Sequence, residues 1–210
     1  MSSYHERVAE EKRAAIVEAA TALFLESGYD KTSLARIADA AGVSKATLFK
    51  QFPTKAELFD AIVTDYWHVR EGASAPAPGD PAKGLTSLGN RYVAVLTRPG
   101  MASLFRIVIA EAPRFPELGR TQFRLGKLPF FESVRDYLAQ EHRGGTLVVD
   151  DPVLTASQFL GMIADFAFWP RMLLVDWAPT AEAVANAVGE AVETILARHA
   201  VTAATGATPV

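Results

Sequence analysis

The chain has 210 residues, half of them apolar, a formal net charge of -3 and no cysteine. That length and apolar content suffice for one large domain, or two small ones sharing a helix, with a real core. The missing cysteine excludes a disulfide framework, a thiolate metal site and a catalytic thiol, and a slightly acidic balance argues against a nucleic-acid binder unless the basic residues are concentrated in one place.

The opening MSSYHERVAEEKR is charged and lacks an apolar h-region, so it is not a secretory signal. No apolar run approaches the roughly 20 residues that a spanning helix needs. The expectation is a soluble, cytoplasmic protein with no membrane partner. Residues 1–6 read as a loose arm. Helix 1 follows, with Ile16, Ala19, Ala20, Leu23 and Phe24 as its buried stripe, and it closes at Ser27-Gly28 with Tyr29 folded back over its end. Thr32 is the candidate N-cap of helix 2, where Leu34, Ile37, Ala38 and Ala41 fall at i, i+3, i+4 and i+7. Gly42 ends that helix in the left-handed region. Ser44 caps a third helix from Lys45 to Gln51, which exposes Lys45, Thr47, Lys50 and Gln51 and turns Leu48 and Phe49 inward. A short polar and basic helix held across a tight turn by an apolar one is the arrangement that presents side chains to a DNA major groove.

Pro53 breaks the chain after this helix. Thr54-Lys55-Ala56-Glu57 forms a capping box, in which hydroxyl and carboxylate satisfy orphan amides reciprocally. Helix 4 then runs from Lys55 to His68 or Arg70, offering Leu58, Phe59, Ile62, Val63 and Tyr66 for packing. Between Lys31 and Lys55 the basic residues are Lys31, Arg36, Lys45, Lys50 and Lys55, against a single acidic one, Asp39. On charge alone such a run reads as a solvated helix face; the motif around it favours contact with an anion.

The run LARIADAAGVSKATLFKQF, with AAIVEAATALFLESGYDKTS before it and TKAELFDAIV after it, resembles the DNA-binding region of TetR-type transcriptional regulators from Ala14 to Val63. The resemblance implies an all-α fold: an N-terminal three-helix helix-turn-helix DNA-binding domain (1–54), then a larger helical effector-binding and dimerisation domain (55–200, with helix 4 as the link), and a flexible tail (201–210). It also implies a double-stranded DNA operator as partner, with Lys31, Thr32, Arg36, Ser44, Lys45, Thr47, Phe49, Lys50 and Lys55 as candidate contacts. Lys31, Lys45, Lys50 and Lys55 would neutralise phosphates, helped by amides at the starts of helices 2 and 4. Lys45 can donate to guanine O6 or N7, and the Thr47 methyl can touch a thymine methyl. Ser44 and Thr47 have the alternative roles of cap and packing residue. Arg36 either bonds a base or phosphate or crosses a helix junction. Ala46 stands where the family commonly has Gly. Phe49 stands where it commonly has a Tyr whose hydroxyl bonds a phosphate, which removes one backbone contact and leaves the fold intact.

Glu71–Gly84 is rich in Gly, Pro and Ala and reads as a boundary. Beyond it the period stays helical. Leu85, Leu88, Tyr92 and Val95 mark helix 5, and Leu104, Phe105, Val108 and Ile109 mark helix 6. A long helix 7 ends at Arg143-Gly144-Gly145, with a kink or a division into two helices expected at Pro129. Helix 8 starts at Asp150-Asp151-Pro152 and runs to Trp169. Helix 9, starting at Pro179 or Thr180, ends near His199. Thr146–Val149 is the nearest thing to a strand and is too short to build on.

No HExxH, P-loop, GxSxG, GxGxxG or CxxC occurs. The four histidines lie far apart, so no metal site, cofactor or catalytic residue is expected and the protein is read as not an enzyme. The C-terminal aromatics admit two readings. Met162, Phe166 and Trp169 form one inward ridge, which with Phe123, Phe130 and Phe131 is either plain core or the lining of an apolar effector pocket. In the second reading the site comprises Asn90, Phe105, Arg106, Phe123, Phe130, Gln158, Met162, Asp165, Phe166 and Trp169. Helices 8 and 9 are the implied homodimer interface. The small-residue face of helix 9 (Val184, Ala187, Val188, Ala191, Val192, Ile195, Leu196) suits close packing, either with a partner or inside the protomer. The whole reads as a ligand-responsive transcriptional regulator, a repressor released from a palindromic operator by a small, largely apolar effector. The alternatives are an apolar-ligand sensor or carrier with a weakened DNA-binding head, and a helical enzyme using Asp165 with Arg106.

Overall fold

The computed structural model describes residues 4–68 and 75–201, and these are helical with no named strand. Helix α1 is Tyr4–Ser27, so the expected arm is helical from Tyr4 onward. Helix α2 is Leu34–Ala40, α3 is Lys45–Gln51 and α4 is Lys55–Trp67. Helix α5, Pro81–Leu96, begins inside the stretch read as a boundary, because Asp80 caps the Lys83 amide and Pro81 takes the first turn. Helices α6 (Met101–Glu111) and α7 (Pro116–Thr121) lead through a π-helical segment, Gln122–Lys127, into α8 (Leu128–Arg143). The interruption expected at Pro129 thus lies just upstream of it. The Leu128 amide reaches back five residues to the Phe123 carbonyl, and Pro129 follows with no amide to place. Helix α9 is Pro152–Ala167, followed by a 3₁₀ turn at Trp169–Met172, and α10 is Ala181–His199. The tail after Val201 and the segment 69–74, which includes Arg70, lie outside the described residues.

The chain divides into two compact units, residues 1–68 with 98–128 and residues 69–97 with 129–210. In the first, Ile16, Ala20 and Phe24 of α1 meet Ile37 and Ala38 of α2, Leu48 of α3, and Leu58, Phe59, Ile62 and Val63 of α4, all fully buried. Each of the larger of these side chains contributes about 1.5–3 kcal/mol. Tyr29 folds back as expected: its ring lies 5.2 Å from Phe24 and meets Phe59 edge-on at 5.7 Å. Arg98 ties the end of α4 down by donating to the carbonyls of Asp65 (2.8 Å), Tyr66 (2.9 Å) and His68, groups that a helix C-terminus otherwise leaves without partners. Thr121 donates to Asp60 at 2.6 Å, joining α7 to α4.

In the second unit α5 packs against α9 and α10. The inward stripe of α9 is Phe159, Ile163, Ala164 and Ala167. The ridge of Met162, Phe166 and Trp169, expected to face inward, flanks that stripe instead, with Met162 and Phe166 half-buried and Trp169 49% exposed. Of the apolar face of α10, Val188, Ala191, Val192 and Ile195 are buried against α5 and α9, and Val184, Ala187 and Leu196 are half-buried. Glu141, fully buried, accepts from the Gly79 amide and from the hydroxyls of Tyr137 and Thr146. Thr146–Val149 contributes a single antiparallel bridge, Leu147 to Ala200.

Candidate nucleic-acid interface

Helix α2 and helix α3 are joined by a turn whose geometry follows from its residues. Gly42 has φ +64°, its amide bonds Asp39 O at 3.2 Å, and the Val43 amide bonds Ala38 O at 3.0 Å. These two bonds are a Schellman motif, which needs a left-handed residue and therefore favours glycine. Ser44 then caps α3, its Oγ accepting from the Thr47 amide at 3.1 Å and lying 2.9 Å from the Thr47 hydroxyl. Leu48 anchors the helix in the core at zero exposure. The opposite face is open: Lys45, Ala46, Phe49 and Lys50 are exposed.

Phe49 was expected to turn inward with Leu48. It is 49% exposed, because the next residue along the helix lies about 100° round its axis and Leu48 already fills the inward position. An exposed ring beside two lysines remains able to press on a sugar or base, though it has no hydroxyl to offer a phosphate.

The other sequence-predicted contacts separate into surface and framework. Lys31 is exposed. Arg36 is exposed too, with its guanidinium 3.0 Å from Ser27 Oγ and 3.8 Å from Glu26, so it crosses the junction from α2 to α1. Thr32 is buried, and its hydroxyl donates to Gly28 O at 2.9 Å. That leaves Ser33 as the cap of α2, accepting from the Arg36 amide at 3.2 Å, in place of Thr32. Lys55 points back into its own unit: Nζ donates to Tyr29 O at 2.8 Å and Thr32 O at 3.1 Å and sits 4.2 Å over the Tyr29 ring. Burial lowers its pKa, opposed by Asp30 and Glu111. At the start of α4, Thr54 caps the Glu57 amide at 3.1 Å as expected, but the Glu57 carboxylate accepts from the Thr54 hydroxyl (3.0 Å) rather than from an amide. Arg98 was not singled out by sequence reasoning. An Arg-Pro-Gly turn reads as a stop signal, and its service to α4, thirty residues back, has no local signature.

The residues expected at an effector site are distributed over both units. Phe105, Arg106 and Phe123 belong to the first; Asn90, Phe130, Gln158, Met162, Asp165, Phe166 and Trp169 belong to the second. Asn90, Gln158, Asp165 and Phe123 are exposed. Phe130 is buried and stacks on Tyr92 at 5.1 Å, a core contact. Arg106 donates to Ser103 at 3.1 Å, and Phe105 lies 6.3 Å from Trp67. A cleft of about 1240 Å³ between α1 and α4, lined by Glu10, Arg13, Glu18, Phe52 and Asp65 among others, includes none of these residues.

Residues 16–62 match the family described as bacterial regulatory proteins, tetR family, and residues 83–201 match the AefR-like transcriptional repressor C-terminal domain. The chain belongs to the TetR family. It is therefore a helix-turn-helix transcriptional regulator, and the resemblance carried by Ala14–Val63 extends to the C-terminal region as well. A TetR-family regulator from Mesorhizobium loti is similar in structure, with TM-score 0.78 and 30% identity over 92% of this chain and 98% of that one. The flavonoid-responsive regulator FrrA gives TM-score 0.73 at 28% identity, covering 91% and 98%. Among curated relatives, the regulator TtgR of Pseudomonas putida is 44% identical over 55 residues. That match spans about a quarter of each chain, 26% in both cases. Among the described residues no single helix is long and apolar enough to cross a membrane.

Proposed function

We propose that this TetR-family member is a homodimeric repressor that holds a near-palindromic operator and is released by a small, largely apolar effector. The observation that carries the DNA half is the outer face of α3. Lys45, Phe49 and Lys50 project from a helix fixed in position by the Ser44 cap, the Gly42 turn and Leu48. Lys45 is assigned to a base edge with Thr47 beside it, and Lys31, Arg36 and Lys50 to phosphates. Thr32, Ser44 and Lys55 act by holding α2, α3 and the start of α4 in register. The functional division places the DNA-binding domain at 1–54 and the effector-binding and dimerisation domain at 55–200. FrrA is flavonoid-responsive by name, which supports a small-molecule effector for a chain of this architecture.

Dimerisation is assigned to α9 and α10. The centre of the apolar face of α10 is already occupied, so the partner would meet its half-buried flank (Val184, Ala187, Leu196) and α9, where Val153 and Leu154 are 52% and 53% exposed and nothing stands within 4 Å of a Cβ added at Gly161. Two α3 helices related by a two-fold axis would reach successive major-groove faces about 34–36 Å apart. Release requires the effector to bind the two states of the dimer with different affinity, ordinarily by about 1–3 kcal/mol.

The test is selection from a random duplex pool at low salt. The expected result is an enriched inverted repeat whose retention falls steeply as salt rises. No enrichment from folded, dimeric protein would leave the sensor or carrier reading in its place.

A further inference from the structure

The solvent face of α9 carries one row of residues at i, i+4, i+7 and i+11: Leu154, Gln158, Gly161 and Asp165, all exposed. Trp169, four residues on at the start of the 3₁₀ turn, continues the row and is also exposed. Apolar side chains gather at both ends, Val153 and Leu154 at one and Trp169, Leu173, Leu174 and Val175 at the other. Exposed apolar groups collected in this way mark a contact surface. At the middle stands a glycine inside a helix, where alanine would be more stable. Nothing in its own protomer lies within 4 Å of a Cβ placed there, so the missing side chain serves no packing within the chain and leaves room for a close approach from outside.

The polar residues of the row decide what approaches. Asp165 carries a charge, and the Gln158 amide can donate to it. Two copies of the row laid parallel would set every residue opposite itself, and Asp165 would meet a like charge. Laid antiparallel, with a two-fold axis between Gly161 and Met162, the row is self-complementary. Gln158 falls opposite the partner's Asp165, and Leu154 opposite the partner's Trp169. Gly161 falls opposite the partner's Met162, for which the missing Cβ makes room. By symmetry each pairing occurs twice. A slip of one turn, about 5.4 Å, leaves Asp165 opposite the partner's Leu154 or the partner's Met162, its carboxylate stripped of water with no donor in reach.

Resting on the α9 dimer proposed above, we infer that a second copy of this chain packs on α9 antiparallel in that one register, selected by the Gln158 amide donating to the partner's Asp165. Gln158 and Asp165 are then residues of self-recognition rather than effector contacts.

The chain has no cysteine, so introduced thiols report only on each other. Full-length Gln158→Cys and Asp165→Cys, both changes at exposed positions, are checked for wild-type helicity by circular dichroism. They are then oxidised separately and after subunit exchange in a mixture, at a concentration where sedimentation finds dimer. The expected result is a covalent dimer from the mixture and none from either variant by itself, because a disulfide joins only facing positions. Asp165→Cys linking to itself would show the parallel alignment and overturn the proposal, as would a dimeric mixture that stays unlinked. Gln158→Glu should raise the dimer dissociation constant about tenfold, since two pairs of carboxylates then face each other, and adding Asp165→Arg to the same chain should restore it. A dimer indifferent to Gln158→Glu, or not rescued by Asp165→Arg, would overturn the pairing. A wild-type chain that sediments as a monomer strikes the α9 dimer itself, whereas a dimer without the cross-link strikes only the register.

Discussion

Lys55 shows how a residue type suited to a phosphate is spent on the framework. Its ammonium closes the loop from α1 to α2 by donating to the Tyr29 and Thr32 carbonyls and lying over the Tyr29 ring. Charge-assisted bonds to carbonyls with few other partners are worth more than exposed ion pairs. Lys55→Ala should cost about 1–3 kcal/mol in urea unfolding, while Lys31→Ala at an exposed position should stay within about 0.5 kcal/mol. Equal effects would show that the Lys55 clamp is not formed in solution. Tyr29 and Tyr92 give a pH signature. Burial pushes both phenols up to about 12, with Glu117 and Asp60 adding to the effect on Tyr29. Between pH 10 and about 12 the folded chain keeps protons that the unfolded chain has lost, so unfolding is favoured as pH rises through that window. Thermal melts should therefore show Tm falling above pH 10, and falling less steeply in Tyr29→Phe; an unchanged slope in that variant would contradict the assignment to Tyr29.

Helix ends were readable where the signal is local. Ser44, Thr54, Asp151 and Thr180 each cap the helix that follows, because a side-chain oxygen reaching an amide three residues on needs nothing from the rest of the fold. Neighbouring candidates were not separable in this way. Thr32 and Ser33 both suit a cap, and only the buried contact of Thr32 with Gly28 O decides for Ser33. Pro129 announced an interruption, but not that the chain would absorb it as a π segment over Gln122–Lys127, in which Gly126 packs closely on Trp67. The inward stripe of α9 was misplaced by one residue for a related reason: Met162, Phe166 and Trp169 are apolar, but the smaller Ala164 and Ala167 let α9 approach its neighbours. Two expectations belong at this scale. Gly126→Ala should cost about 1–3 kcal/mol, since the indole must move, and a variant of wild-type stability would deny the close approach. A Cβ at Gly161 meets nothing within 4 Å in its own protomer; sedimentation should find Gly161→Arg folded and monomeric if α9 is the dimer face, and a dimer of wild-type strength would exclude that face.

For the whole molecule, fold class and family were readable because they rest on repeated helical period and on an ordered motif of fixed spacing, Leu34 to Phe52. The polar residues expected to line an effector site were less so. Asn90, Gln158 and Asp165 were chosen as polar residues among apolar ones, and all three are exposed. The central claim is that the outer face of α3 reads base pairs. Its most direct test is to compare the duplexes enriched by the wild-type chain with those enriched by Lys45→Ala and Lys50→Ala. Lys45→Ala should relax preference at one position in each half-site, with a loss of about 1–3 kcal/mol on the wild-type sequence. Lys50→Ala should weaken every sequence alike and reduce the salt slope by about one. An unaltered motif from Lys45→Ala, at undiminished affinity, would contradict the assignment of α3 as the reading helix.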